Sequence, residues 1–483
     1  MELRLHNTLS RKVELFVPIQ TGKASVYSCG PTVYWFAHIG NMRAFLFSDV
    51  LNRVLKYNGF NVSLIMNVTD VGHLVADSDD GEDKMLLAMR REGKSAYEIA
   101  EFYAQAFFAD LTRLNILPAK KYPRATDHIT EQIAMVEDLK RNGFTYQTSD
   151  GIYFDTSKLS EYGQLSGQKL EDKMAGARVD VGEKRNGTDF ALWKFAADGV
   201  TREMIWPSPW GVGFPGWHIE CSAMSKKYLG VPFDIHTGGI DHIAIHHENE
   251  IAQTRGADGV LQANVWMHSE FITVDGGKMS KSLGNIFTIQ DVIDRGYDPI
   301  AYRYFVLSGH YRSKINFTWE ALDGAQNALT RLRGIVRDWP TITTPLPLLK
   351  KEGSIKFVSP PFQGGVGGGY GEQFHSAIND DLNTSQALAV LWELIGDRTI
   401  LDEEKAATIL EFDRVLGLGL KEYIGRAQFD EIPAQVQVLV DQRQSARTAK
   451  DWSESDRLRD EILELGFTVE DTADGQKVRS RVV

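Results

Sequence analysis

The sequence predicts an α/β protein: a parallel-sheet domain interrupted by an insertion, then a helical bundle, then a small α/β unit at the C-terminus. Three observations predict it. Ala24 to Val68 reads as strand, glycine-containing turn, helix and strand, which is half of a mononucleotide-binding fold. Strands return at Phe233 and Asn264, with mostly helical sequence and a few short strands between. From about residue 300 apolar residues recur at helical spacing. Residues 1–300 are therefore expected to be a Rossmann-type nucleotide-binding domain with an inserted connective domain at about 75–215. A helical domain is expected over 301–428, with a glycine-rich insert at about 341–371, and a last unit over 429–483.

Bulk properties narrow the class. The chain has 483 residues, 43% hydrophobic and 24% charged, the balance of a globular protein of two to four domains. No apolar run reaches membrane-spanning length, and Met1-Glu2-Leu3-Arg4 opens no secretory signal. No membrane partner is expected, and a cytoplasmic location is. Two cysteines, Cys29 and Cys221, cannot build a disulfide framework, which fits a reducing compartment. A net charge of −12 argues against broad coating of nucleic acid, though one basic stripe can still bind a polyanion.

In order, Ala24 to Cys29 is a short strand ending at Gly30-Pro31-Thr32. His38-Ile39-Gly40-Asn41 follows, then Phe47, Val50, Leu51, Val54 and Leu55 at helical spacing until Gly59. At such a helix start, free backbone N–H groups and the positive dipole end favour a phosphate. A turn with a hydrogen-bonded histidine accounts for the same four residues. Asn61 to Val68 is the second strand. Asp83 to Pro118 is mostly helical, with a capping box at Ser95 and Glu98. Thr126 to Asn142 is a further helix. Short strands around Thr145 and Ile152-Tyr153-Phe154, with a buried strand at Asp189 to Lys194, give the insertion a small sheet.

Gly216-Trp217-His218-Ile219-Glu220-Cys221 opens onto a helix closed by Gly230. After the strand at Asn264 to Val274 comes Gly276-Gly277-Lys278-Met279-Ser280-Lys281-Ser282-Leu283-Gly284-Asn285. Its two lysines, flanked by hydroxyls between glycines, suit a mobile loop that meets a shifting polyphosphate charge. Trp319 to Val336 begins the helical part, Thr341 to Gly371 breaks it, and Pro360 to Gly369 is low in complexity. Helices resume at Glu372 to Asp397 and Glu403 to Leu416. The last unit holds two helices and a strand pair around Thr468-Val469-Glu470. Arg443, Arg447, Lys450, Arg457, Arg459, Lys477, Arg479 and Arg481, with Trp452 among them, suit single-stranded bases through charge and stacking. A helical hairpin with a solvated charged face is the other reading.

His246-His247-Glu248-Asn249-Glu250 carries the most chemistry. As a helix it places His246 and Glu250 on one face. With Cys29 and Cys221 they make a set of two thiols, an imidazole and a carboxylate that suits zinc. The spacing does not decide the matter: there is no Cys-x-x-Cys, and His-x-x-x-Glu also describes a salt-bridged or solvated face. His-Glu-x-x-His is absent, so a metalloprotease reading has no support.

Together, Cys29-Gly30-Pro31-Thr32-Val33-Tyr34, His38-Ile39-Gly40-Asn41, Gly216 to Cys221, His246 to Glu250 and Lys278-Met279-Ser280-Lys281-Ser282 resemble, in this order, the cysteinyl-tRNA synthetases, which are class I aminoacyl-tRNA synthetases. The match runs from about Leu5 to Arg481. The resemblance implies that ATP, with Mg2+, and L-cysteine form cysteinyl-adenylate and pyrophosphate, and that the cysteinyl group passes to tRNA(Cys). It implies a stem-contacting role for 301–428, an anticodon-binding role for 429–483, and a monomer. It implies Cys29, Cys221, His246 and Glu250 as ligands of one Zn2+. His38 and Asn41 match the first ATP motif, and Lys278 and Lys281 the second. Trp217, Thr69 and Asp241 match positions that line the amino-acid pocket. Zinc that takes the substrate sulfur as thiolate lowers its pKa. A site built on one such contact rejects serine by ~10⁴ or more, so no editing domain is required.

The chain departs from the commoner pattern in places. Asn41 stands where His is usual, Gly72-His73 where an acidic residue is, and His242 and Ala244-Ile245 where Leu and Phe-Pro are. His242 adds a further metal-binding or orienting group near the ligands. Two other functions fit parts of the pattern. A mycothiol-type cysteine:amino-sugar ligase shares the zinc motifs but lacks the terminal unit present here. A non-catalytic tRNA-binding relative would not need His38, Asn41, Lys278 and Lys281.

Overall fold

Four strands drawn from two distant stretches of chain make one parallel sheet. The computed structural model describes residues 2–72, 84–167, 183–196, 202–279, 284–340, 369–426, 434–472 and 475–480. The chain opens with an antiparallel hairpin, β1 (Arg4–Asn7) and β2 (Lys12–Leu15). β3 (Lys23–Ser28) buries Ala24, Val26 and Tyr27. It pairs in parallel with β4 (Asn61–Met66) through the crossover helix α1 (Ile39–Tyr57). α1 presses Ile39, Met42, Leu46, Leu51 and Val54 into the main core.

After β4 the chain leaves this sheet. α2 (Lys84–Glu92) and α3 (Ala96–Arg113) follow, and the Ser95–Glu98 capping box is formed, with the Ser95 N–H donating to Glu98 Oε2 at 2.9 Å. α4 (Ile129–Arg141) leads to an antiparallel sheet of β5 (Thr145–Gln147), β6 (Gly151–Phe154), β7 (Phe190–Phe195) and β8 (Gly213–Pro215), in that order. This small sheet has its own core of Ile152, Phe154, Leu192 and Trp193.

α5 (Trp217–Leu229) returns the chain to the parallel sheet, where β9 (Phe233–Gly239), α6 (His246–Asp258) and β10 (Ala263–Ser269) add a second βαβ unit. The order is β10-β9-β3-β4, all parallel. β3 and β9 are neighbours whose chains depart in opposite directions, through α1 to β4 and through α6 to β10. In an open α/β sheet this reversal leaves a crevice at the carboxyl ends of the strands, the place where ligands bind.

Beyond the sheet, β11 (Ile272–Val274) pairs in parallel with β12 (Ile315–Phe317), with α7 (Ile289–Asp294) and α8 (Pro299–Leu307) between them. α9 (Trp319–Arg337) buries Leu322, Leu329, Leu332 and Val336. Most of the glycine-rich insert lies outside the described residues. The single helix expected at Glu372 to Asp397 is two, α10 (Tyr370–Asn379) and α11 (Thr384–Gly396). Between them Asp381 and Leu382 take φ of 54° and 57°. The Asp381 carboxylate accepts from the His6 N–H at 2.8 Å, the Tyr311 hydroxyl at 2.6 Å and Arg312 Nε at 2.6 Å. These tertiary bonds win over helical periodicity. α12 (Asp402–Leu416) completes the bundle. Buried Arg303 ties it to the sheet domain: it donates to the Leu416 and Leu114 carbonyls and lies 2.7 Å from Asp49.

The last unit holds α13 (Ala434–Thr448), α14 (Trp452–Glu464) and a hairpin of β13 (Phe467–Thr472) and β14 (Gly475–Ser480). One residue of its basic set is not available to a polyanion. Arg443 is buried and pairs with Asp471 at 3.0 Å. Arg457 is taken up by Glu454 and Glu461 on its own helix, as on a solvated charged face. Arg447 lies over the exposed ring of Trp452, 5.7 Å from its centroid. The side chains of Lys477 and Arg479, and all of Arg481, lie outside the described residues. No helix among the described residues is long and apolar enough to cross a membrane.

Candidate active site and metal centre

The crevice between β3 and β9 collects side chains from several elements. Cys29 follows β3, Cys221 lies on α5, and His246 and Glu250 share one face of α6. All four are buried, and their ligand atoms lie within 4.8 Å of one another. His246 Nε2 is 3.0 Å from Glu250 Oε1, and Cys29 Sγ is 3.9 Å from the same oxygen. A tetrahedral shell with bonds of about 2.0–2.3 Å has edges of roughly 3.3–3.8 Å, so the group closes on an ion with small adjustments. Glu250 Oε2 is occupied elsewhere: it accepts from Gln262 Nε2 at 3.0 Å and lies 3.0 Å from His236 Nε2. That leaves Oε1 turned to the other ligands. A salt bridge between His246 and Glu250 is therefore present, but it does not account for two thiols meeting it in a buried pocket. The four residues fit a zinc ion.

The electrostatics agree. Burial alone would lower the His246 imidazole, yet Glu250 and Cys221 beside it push it up to about 10. Burial would raise the Glu250 carboxyl, but His236 and His246 hold it well below the usual carboxylate range. Burial pushes the Cys29 thiol up, while a hydrogen bond from Cys29 lowers Cys221.

A second group, Cys29, His236, His247 and Glu250, overlaps the first, its ligand atoms again within 4.8 Å. His247 Nε2 is 3.1 Å from Cys29 Sγ, and its Nδ1 is 2.8 Å from His268 Nε2. Burial holds both His247 and His268 well below the usual range, as neutral rings. His242 belongs to neither group of four. Its ring centroid is 5.1 Å from those of His246 and His247, its Nδ1 is buried without a hydrogen-bond partner, and burial brings its pKa down to about 4.

The His38 to Asn41 stretch and Met279, from the second stretch expected to bind nucleotide, meet at the start of α1. His38 is the N-cap, and its Nδ1 accepts from the Asn41 N–H at 3.2 Å while Asn41 Oδ1 accepts from the His38 N–H at 3.1 Å. With Nδ1 used as an acceptor, Nε2 carries the ring proton and is a donor. The hydrogen-bonded-turn reading thus holds, and it fixes Nε2 as the donor. Ile39 N–H donates to the Phe287 carbonyl at 2.8 Å, and a Cβ on Gly40 would stand 2.4 Å from Met279 Cε. Any side chain at position 40 would displace Met279 from the helix start. Lys278 is exposed. Lys281 lies outside the described residues.

The three residues expected to line an amino-acid pocket are near the candidate ligands in different ways. Trp217, first on α5, stacks on His246. Thr69, past β4, donates to Glu220 Oε2 at 3.0 Å and accepts from Asn67 Nδ2 at 3.0 Å. Asp241 is an exposed residue of the turn after β9. Its charge raises His38 against the lowering by burial, and raises Cys29 in the same direction as burial.

Sequence comparison now decides the family. A profile described as the tRNA synthetases class I (C) catalytic domain matches residues 15–327, a DALR domain matches 373–421, and a cysteinyl-tRNA ligase anticodon binding domain matches 430–479. Cysteine–tRNA ligase 1 of Burkholderia lata is 50% identical over 479 residues, covering 99% of this chain and 97% of that one. The chain belongs to the cysteinyl-tRNA synthetase family. It is an enzyme of the cysteine–tRNA ligase class. A second synthetase of the family, cysteine–tRNA ligase of Treponema denticola, is 42% identical over 486 residues, covering 98% of each chain. Among solved structures, Mycobacterium tuberculosis methionyl-tRNA synthetase in complex with methionyl-adenylate shares the fold, with a TM-score of 0.54 at 15% identity, covering 82% of this chain and 90% of that one.

The sequence assigned no role to His236, His247, His268 or Gln262, which surround the candidate ligands of this synthetase. The signal for His247 was its place beside His246. Those for His236 and His268 were weaker, a lone histidine on each of β9 and β10.

Proposed function

We propose that the enzyme joins L-cysteine to ATP, with Mg2+, as cysteinyl-adenylate, and transfers the cysteinyl group to tRNA(Cys), with one zinc ion on Cys29, Cys221, His246 and Glu250 selecting the substrate thiol. The observation that carries this is the meeting of two thiols, an imidazole and a carboxylate beneath Trp217, at the point where the sheet reverses. A zinc ion bound there supplies a soft Lewis acid that favours a thiolate sulfur over a serine hydroxyl.

The chain's own residues do the rest. Gln262 and His236 hold the Glu250 carboxylate, and Trp217 packs over His246. Substrate carboxylate is already a nucleophile, so its oxygen attacks the α-phosphorus with no general base, and pyrophosphate leaves. Catalysis is then placement and charge stabilisation. His38 offers an Nε2–H donor at a helix start, beside Asn41, and Lys278 and Lys281 bring positive charge from the loop that touches Gly40. Thr69 and Asp241 line the amino-acid side. Residues 301–428 are read as stem-contacting and 429–483 as anticodon-binding, in a cytoplasmic monomer.

The test is cysteine-dependent exchange of pyrophosphate into ATP, followed by charging of total tRNA with labelled cysteine. Absence of exchange with any amino acid removes the reading. Exchange without charging, but with ligation to an amino sugar, transfers the chain to the mycothiol-type alternative. The match of the terminal unit to an anticodon binding domain favours tRNA.

A further inference from the structure

Behind Cys29 a line of polar side chains runs out to the first hairpin. His247 Nε2 faces Cys29 Sγ at 3.1 Å, His247 Nδ1 faces His268 Nε2 at 2.8 Å, and His268 Nδ1 faces the Thr8 hydroxyl at 2.8 Å. The line is built, not incidental. Gly238 pairs with His268 in the sheet, and a Cβ on it would stand 2.5 Å from His242 Nδ1 and 2.7 Å from His247 Cε1, so the His242 and His247 rings share the space a side chain would fill. At the outer end Thr8 is clamped to β10. Its N–H donates to the Trp266 carbonyl at 2.7 Å, and buried Asn7 accepts from the Trp266 N–H and donates to the Asn264 carbonyl, each at 3.1 Å.

We propose that Thr8, His268 and His247 form a hydrogen-bond wire that donates to the metal-bound Cys29 thiolate, and so sets how strongly the site takes the substrate sulfur. Chemistry fixes the direction. A metal-bound thiolate has only lone pairs to offer, so His247 Nε2 carries the proton and its Nδ1 accepts. His268 Nε2 then carries a proton and its Nδ1 accepts, which the Thr8 hydroxyl satisfies. Every nitrogen on the wire is used once, and both rings stay neutral. An N–H donor on sulfur withdraws electron density from it, leaving the ion a stronger acceptor for the substrate sulfur. These three are positioning residues: they act on the substrate sulfur through Cys29.

The inference rests on the zinc reading, and the test separates the two. Co(II) replaces zinc in the whole chain, and the thiolate-to-cobalt charge-transfer band is recorded beside kcat and KM for cysteine. His268→Leu removes the donor to His247, and His268→Gln keeps an N–H at the Nε2 position. Thr8→Val removes only the outer hydroxyl. Expected are a band shifted to longer wavelength and a cysteine KM raised about tenfold or more in His268→Leu, from the 10–100-fold cost of losing an outer partner. kcat should change less. His268→Gln should stay near the parent, and Thr8→Val should move the same way by a smaller amount. If parent protein binds Co(II) with a charge-transfer band and both His268→Leu and Thr8→Val leave band and KM unchanged, the wire is wrong. Should His268→Leu not fold, Thr8→Val decides alone. A parent that takes up no Co(II) sinks the zinc reading first, and the wire with it.

Discussion

The Trp217 indole stacks on the His246 imidazole, with ring centroids 4.6 Å apart and planes 29° from parallel. A side chain proposed to line the amino-acid pocket thus also covers a proposed metal ligand. An aromatic pair is worth about 0.5–1.5 kcal/mol beyond its buried area, or roughly two- to twelvefold in a binding constant. Trp217→Ala should raise KM for cysteine about tenfold while zinc content stays at one per chain, and Trp217→Phe should fall between. Steady-state pyrophosphate exchange measures it. An unchanged KM would make Trp217 packing only.

Cys221→Ala should lose zinc and cysteine activation together. The pH dependence of zinc uptake is a sharper check. In the metal-free pocket the two groups pushed up, His246 to about 10 and the Cys29 thiol, both hold protons at neutral pH. Each must leave before its lone pair can bind an ion, so affinity falls as pH falls. With at least two protons released, the loss is about 100-fold per pH unit or steeper below neutrality. Chelator competition between about pH 6 and 8 gives the slope. A flat profile contradicts the ligand set.

His38 has two jobs that substitutions can separate. His38→Asn keeps a good N-cap, whereas His38→Ala should cost about 1 kcal/mol of stability. Both lose the Nε2–H donor, and both should lower kcat for pyrophosphate exchange about 10²–10³-fold. Full activity in His38→Asn would reduce the ring to a cap.

With Arg443 buried, Arg447 over Trp452 is a basic–aromatic pair left at the surface of the terminal unit. Stacking of one base is worth about 1–3 kcal/mol. Trp452→Ala should lower kcat/KM for tRNA roughly 5- to 150-fold with pyrophosphate exchange intact. Equal losses in both assays would assign the ring to folding.

Much of this was legible before the structure. The strand–helix–strand pattern at Ala24 to Val68, the Ser95 capping box and the strand pair after Leu465 all depend on neighbours in sequence, and all are present. His246 and Glu250 were legible as a pair because four residues is one helical turn. His268 and Thr8 were not. Their partners lie 21 and 260 positions away, and a lone histidine in a strand does not announce which side chain it will meet. Arg443 misled for the same reason: its partner Asp471 sits 28 positions on, across a hairpin. The break at Asp381 escaped because the groups that capture it, at His6 and Tyr311, belong to the sheet domain and the segment after α8.

Cys29 and Glu250 are 221 positions apart. A ribosome working at about 5–20 residues per second needs roughly 10–45 s to travel that span. Throughout it Cys29 has no Glu250 to meet. If zinc is held as proposed, the complete ligand set exists only after the second βαβ unit has assembled, so a cell short of zinc should accumulate finished but unloaded chains rather than stalled ones.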